Sequence, residues 1–118
     1  MTFAEELKSL GVDTDEGLDR VMGDKDLYEM MLGMFADAVK NNPIAPEDFS
    51  GDPEKLIKTV HMLKGTAGNL SLTPIFAGYN AALSLLREDR SDQARAEFEA
   101  MLPVQEKIID CIRRHQNQ

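Results

Sequence analysis

Apolar residues recur along this chain three and four positions apart, and no stretch alternates as a half-buried strand would. The pattern therefore predicts helices throughout. Thr2 and Glu5 carry a capping-box signal that opens a short helix ending near Gly11. Asp13 and Glu16 carry a weaker version, opening a second short helix that closes near Gly23. Asp24 caps a third helix that runs to about Asn41, and its stripe of Leu27, Met30, Met31, Met34, Phe35, Ala38 and Val39 is expected to fill a core. Residues 42–52, NPIAPEDFSGD, read as the longest loop. Asp52 then caps and Pro53 starts a helix over 53–70, with Leu56, Val60, Leu63, Ala67 and Leu70 on one face. Thr73 and Pro74 repeat the cap-plus-proline signal for a helix ending near Asp89. Ser91 starts the last helix, whose stripe is Ala94, Phe98, Met101, Leu102, Ile108, Ile109 and Ile112; Pro103 is expected to kink or split it near Glu99. Four substantial helices joined by short links predict an all-α protein, an antiparallel four-helix bundle with two short N-terminal helices capping one end. The 118 residues suit a single domain spanning 1–118.

Composition narrows the function. Hydrophobic residues make up 42% of the chain, enough for a packed interior, and with no Trp and aromatics at only 6% that interior is expected to come from Leu, Ile, Met, Val and Ala. The net charge of −8 opposes binding to nucleic acid or to anionic lipid. Cys111 is the only cysteine, so no internal disulfide forms, which fits a reducing compartment. No basic and apolar leader opens the chain, and no apolar run approaches the roughly 20 residues of a membrane span. These features predict a cytoplasmic monomer, and the initial Met and polar C-terminus suggest a free-standing protein. No histidine pair or cysteine cluster has metal-ligand spacing and no glycine-rich nucleotide loop is present, so neither a metal nor a cofactor is expected.

The chemistry concentrates at His61. On a wheel of about 100° per residue it points roughly 140° away from the apolar face of its helix, toward water. Lys64, Gly65 and Gly68 follow at +3, +4 and +7 and share that side. Two glycines inside one helix cost about 1 kcal/mol each relative to alanine, and no turn or cap needs them there. Bare backbone beside an exposed imidazole suggests a surface that another molecule approaches closely, and a side chain at Gly68 is expected to point to water. Neutral imidazole is a nucleophile available near pH 7, and a lysine one turn on can neutralise a phosphoryl group held there. His115, in the polar tail HQNQ, reads as an ordinary terminal residue, and Cys111 as a small, partly buried filler.

The stretch HMLKGTAGNL, residues 61–70, resembles the signature of histidine-containing phosphotransfer domains at every fixed position. Residues 11–35, GVDTDEGLDRVMGDKDLYEMMLGMF, resemble that family's first helical hairpin, and the resemblance weakens after about residue 90. It implies a four-helix bundle that accepts a phosphoryl group on His61 from a receiver-domain aspartyl phosphate and passes it to another receiver aspartate. It implies that Lys64 steadies the phosphoryl oxygens and that Gly65 and Gly68 leave room for the receiver. The partners would be response-regulator receiver domains, a hybrid sensor kinase among them. The chain would be a phosphocarrier and not an autonomous kinase. Two positions depart from the family pattern. Ser71 stands where glycine is usual, and Leu83, 22 residues after His61, stands where many members place a ring-orienting glutamine. Asn80, one turn earlier, is the candidate substitute. Two alternatives remain open: a helical adaptor that is never phosphorylated, and the phosphotransfer module of a larger histidine kinase.

Overall fold

Side-chain caps fix the starts of four helices. In the computed structural model, which describes all 118 residues, Thr2, Asp13, Asp24 and Asp52 each accept a hydrogen bond from a backbone N–H of the first turn. They open α1 (Phe3–Ser9), α2 (Thr14–Arg20), α3 (Lys25–Asn41) and α4 (Pro53–Asn69). The full capping box is present at Thr2 and Glu5. Two further helices, α5 (Thr73–Arg87) and α6 (Ser91–Gln116), begin without a side-chain cap. Thr73 is thus already helical and Leu72 precedes it, one residue earlier than the cap-plus-proline reading places the start. Buried Leu72 anchors the turn in the core instead.

The protein is all-α, with no strand. Helices α3 and α5 each pack on both α4 and α6, α1 packs on α6, and α2 bridges α1 and α3. These contacts enclose one apolar cluster that includes Leu32, Phe35, Val60, Leu63, Ile75, Phe98 and Ile108. The 26-residue α6, about 39 Å long at 1.5 Å per residue, sets the 40 Å long dimension of the molecule.

Several details differ from the pattern-based expectation. Met30 and Met34 are 57% and 59% exposed; Phe35 of the expected stripe is buried, and Tyr28, Leu32 and Ala36 join it on the inward side of α3. One cause is polar: the Tyr28 hydroxyl donates to the Leu70 carbonyl at 2.8 Å, and this bond is buried. Pro103 does not split α6, which continues unbroken from Ser91 to Gln116. Pro103 lies on the solvent side, where water can satisfy the carbonyl its missing N–H leaves free. The 42–52 loop contains a 3-10 turn, Pro46–Ser50, that drives Phe49 into the core against Phe98. Gln105, a polar residue in the apolar stripe of α6, is buried because its Oε1 accepts from the Tyr79 hydroxyl at 2.6 Å.

Ser71 accounts for its own departure from glycine. It ends α4 in the left-handed region at φ 56°, where glycine is the low-cost residue. Its hydroxyl donates to Glu16 at 2.7 Å and its carbonyl accepts from the Asp13 N–H at 3.0 Å, tying α2 to the end of α4.

Candidate functional site

Helix α4 sorts its side chains cleanly. Leu56, Val60, Leu63 and Ala67 are buried, while His61 and Met62 are exposed and Lys64 is half-buried. The protein's eight ion pairs include neither His61 nor Lys64, and no side-chain hydrogen bond engages either. His61 is thus exposed, and neither of its imidazole nitrogens has a hydrogen-bond partner in the protein. The lysine ammonium is uncommitted.

The two glycines of this helix prove different. A Cβ at Gly65 would meet nothing within 4 Å, so the backbone beside His61 is open. A Cβ at Gly68 would stand 3.1 and 3.3 Å from ring carbons of Phe76 on α5. Gly68 is half-buried. The expectation that a side chain at 68 points to water is thus corrected: Phe76, in the first turn of α5, leans over that position. Leu83 is buried at 1% exposure among the core residues of α5, so it offers the His61 ring no polar contact. Asn80 is exposed, and its amide makes no hydrogen bond to the ring. The ring-orienting contact is thus absent from this arrangement.

The second histidine is not the loose terminal residue that the polar tail suggests. His115 is half-buried, stacks on Phe3 with ring centroids 4.0 Å apart and planes 3° apart, and pairs through Nε2 with the Glu29 carboxylate. The sequence did carry a signal for this: Ile108, Cys111, Ile112 and His115 fall at helical spacing, so the packed face of α6 extends into the tail. Cys111 on the same face is buried at 2% exposure. Burial pushes its thiol up to about 11, with the Glu6 carboxylate adding to the effect, so it is a poor nucleophile near neutral pH. The Arg114 guanidinium hydrogen-bonds Glu6 and holds its carboxyl below the usual range.

The arrangement around His61 can therefore present one accessible imidazole to a macromolecular partner, with a cation one helical turn away. No group of three His, Cys, Asp or Glu side chains converges as a metal site. No helix is long and apolar enough to cross a membrane. No family model, no curated protein and no solved structure matches the chain.

Proposed function

We propose that this protein is a phosphorelay intermediate, a histidine-containing phosphotransfer domain whose phosphoacceptor is His61. The observation that carries the reading is the exposed, unpartnered imidazole midway along α4, beside Lys64 and the open backbone of Gly65. In this reading α3 to α6 form the antiparallel four-helix bundle of that family and α1 and α2 close one end. The nucleophile is Nε2. Its lone pair attacks phosphorus of a receiver's aspartyl phosphate, the P–O bond to the aspartate breaks, and the carboxylate is regenerated. The product is a phosphoramidate, and a second receiver aspartate reverses the step. The receiver supplies Mg²⁺ and the acidic pocket. Lys64 neutralises charge on the equatorial oxygens, which develops in the transition state. The protein is a relay substrate of receiver domains and does not draw phosphate from ATP by itself.

One observation favours a second reading. The His61 ring has no side chain to orient it, since Leu83 is buried and Asn80 does not reach it by a hydrogen bond. A helical adaptor that binds a signalling partner without being phosphorylated would need no such contact. Incubation with a phosphorylated receiver separates the two. The relay reading expects label that transfers to the wild type, is lost in acid and kept in base, and is absent from His61→Gln. Label that persists in His61→Gln removes His61 from the role, and a receiver complex with no transfer favours the adaptor.

A further inference from the structure

Helices α4 and α5 hold the positive charge of an acidic protein. The chain has a net charge of −8, yet α4 carries Lys55, Lys58 and Lys64 against one acid, Glu54, and α5 carries Arg87 and no acid. Lys58, Lys64 and Arg87 take part in none of the ion pairs. Lys55 differs, because Glu47, Asp48 and Asp52 line one cavity with it and offset its charge.

Spacing puts the three free cations around His61. Lys58 and Lys64 stand three residues before and after it, about 4.5 Å along the axis in each direction and about 60° to either side. Arg87 reaches the same surface from α5. A three-residue link, 70–72, turns the chain back, and Phe76 of α5 leans over Gly68 of α4. Measured from that contact, Lys58 is ten residues back along α4 and Arg87 eleven residues on along α5, about 15 and 16 Å, so the two stand at one level. Eleven residues are three turns plus about 20°, so Arg87 projects on the side of α5 that Phe76 does. Lys58 and Arg87 are exposed. The nearby acids do not pair with them: Glu54 is one turn before Lys58, Glu88 and Asp89 follow Arg87, and none of the three forms an ion pair. On α3, Glu29 and Asp37 are taken by His115 and Arg113 of α6.

We propose that Lys58 and Arg87 form, with Lys64, a cationic docking face that steers an acidic receiver surface onto His61. The identity of the partner rests on the relay reading; the charge of the face does not. A receiver brings an acidic pocket, which the net charge of this chain opposes and this face attracts, so the approach is oriented. Lys58 and Arg87 act on the encounter, whereas Lys64 acts on the transferring phosphoryl group.

Two measurements on the full chain test this. In the first, a short poly-glutamate peptide is titrated into ¹⁵N-labelled protein at low salt. Saturable amide shifts are expected from Lys58 to Gly65 and at Arg87. They should vanish at roughly 1 M salt, where charges are screened within about 3 Å, and in the double variant Lys58→Glu with Arg87→Glu. Shifts that map elsewhere, or that persist in the double variant, would overturn the face. Tighter binding of a short duplex DNA to the same residues would also overturn the proposal, by making this a nucleic-acid surface. In the second, the rate of label transfer is followed against the concentration of phosphorylated receiver. Lys58→Ala and Arg87→Ala should each raise the half-saturating concentration about three- to ten-fold, flatten its salt dependence and leave the rate at saturation unchanged. Lys58→Arg should behave as the wild type. An unchanged half-saturating concentration, or a loss confined to the rate at saturation, would overturn the steering role. If the peptide maps to the face while no receiver transfers label to the wild type, the relay reading fails and the cationic face is supported.

Discussion

Lys64 and Gly65 stand on the same side of α4 as His61, yet each tests a different part of the chemistry. Lys64 makes no ion pair and is only half-buried, so Lys64→Ala should leave the melting temperature within a few degrees of wild type. Phosphotransfer at saturating receiver should slow about ten-fold or more, as expected when a cation is removed from developing phosphoryl charge; an unchanged rate would take Lys64 out of the mechanism. The two glycines give a paired experiment. Gly65→Ala places a methyl in open space and should stabilise the protein by about 0.5–1 kcal/mol. Gly68→Gln must push the Phe76 ring aside by a few tenths of an ångström and should leave the protein less stable than Gly65→Ala does. Thermal melting of both variants checks this contrast, and equal melting temperatures would contradict it. Exposure of His61 and openness at Gly65 were both legible from helical spacing. The half-burial of Gly68 was not, because it depends on where α5 crosses α4, and spacing within one helix carries no information about a neighbour.

At the level of helices, the caps and the period predicted the existence, order and approximate bounds of all six. What the pattern missed was set by contacts between helices. Met30 and Met34 fit the helical stripe on spacing alone, and the Tyr28–Leu70 bond and the close approach of Gln116 on α6 to Gly33 accompany the turning of the other side of α3 inward. The packing of α5 on α6 makes a sharper test. Gly78 meets Met101 so closely that an added Cβ would stand 2.5 Å from the Met101 Cβ. That atom is fixed to the backbone and cannot swing away. Gly78→Ala, which would stabilise an isolated helix, should destabilise this protein by about 1–3 kcal/mol. Chemical denaturation of the variant checks it, and a gain in stability would mean that the two helices are not in such close contact.

For the molecule as a whole, two buried phenols link stability to pH. Burial pushes Tyr28 and Tyr79 from the ordinary value of 10.0 up to about 12, with the charge of Asp13 adding at Tyr28. A raised value means that the folded state keeps protons the unfolded chain releases. The stabilisation is therefore complete below pH 10 and is lost as the pH rises toward 12. An alkaline titration should show both phenolates appearing late and together with loss of helix; phenolates that form near pH 10 with the helices intact would contradict this. The all-α character was evident in the sequence as a whole, and so was the motif at residues 61–70. The role of the tail was hidden, since the polar run after Arg114 masks the contact of His115 with Phe3 and Glu29 across the molecule. That contact makes His115 a control within the chain, which has only two histidines. The most direct test of the relay reading is therefore peptide mapping by mass spectrometry at neutral pH after exposure to a phosphorylated receiver. Phosphate is expected on the peptide that contains His61 and none on the peptide that contains His115. Phosphate on His115, or on neither histidine after a receiver that binds has lost its own, would contradict the relay reading.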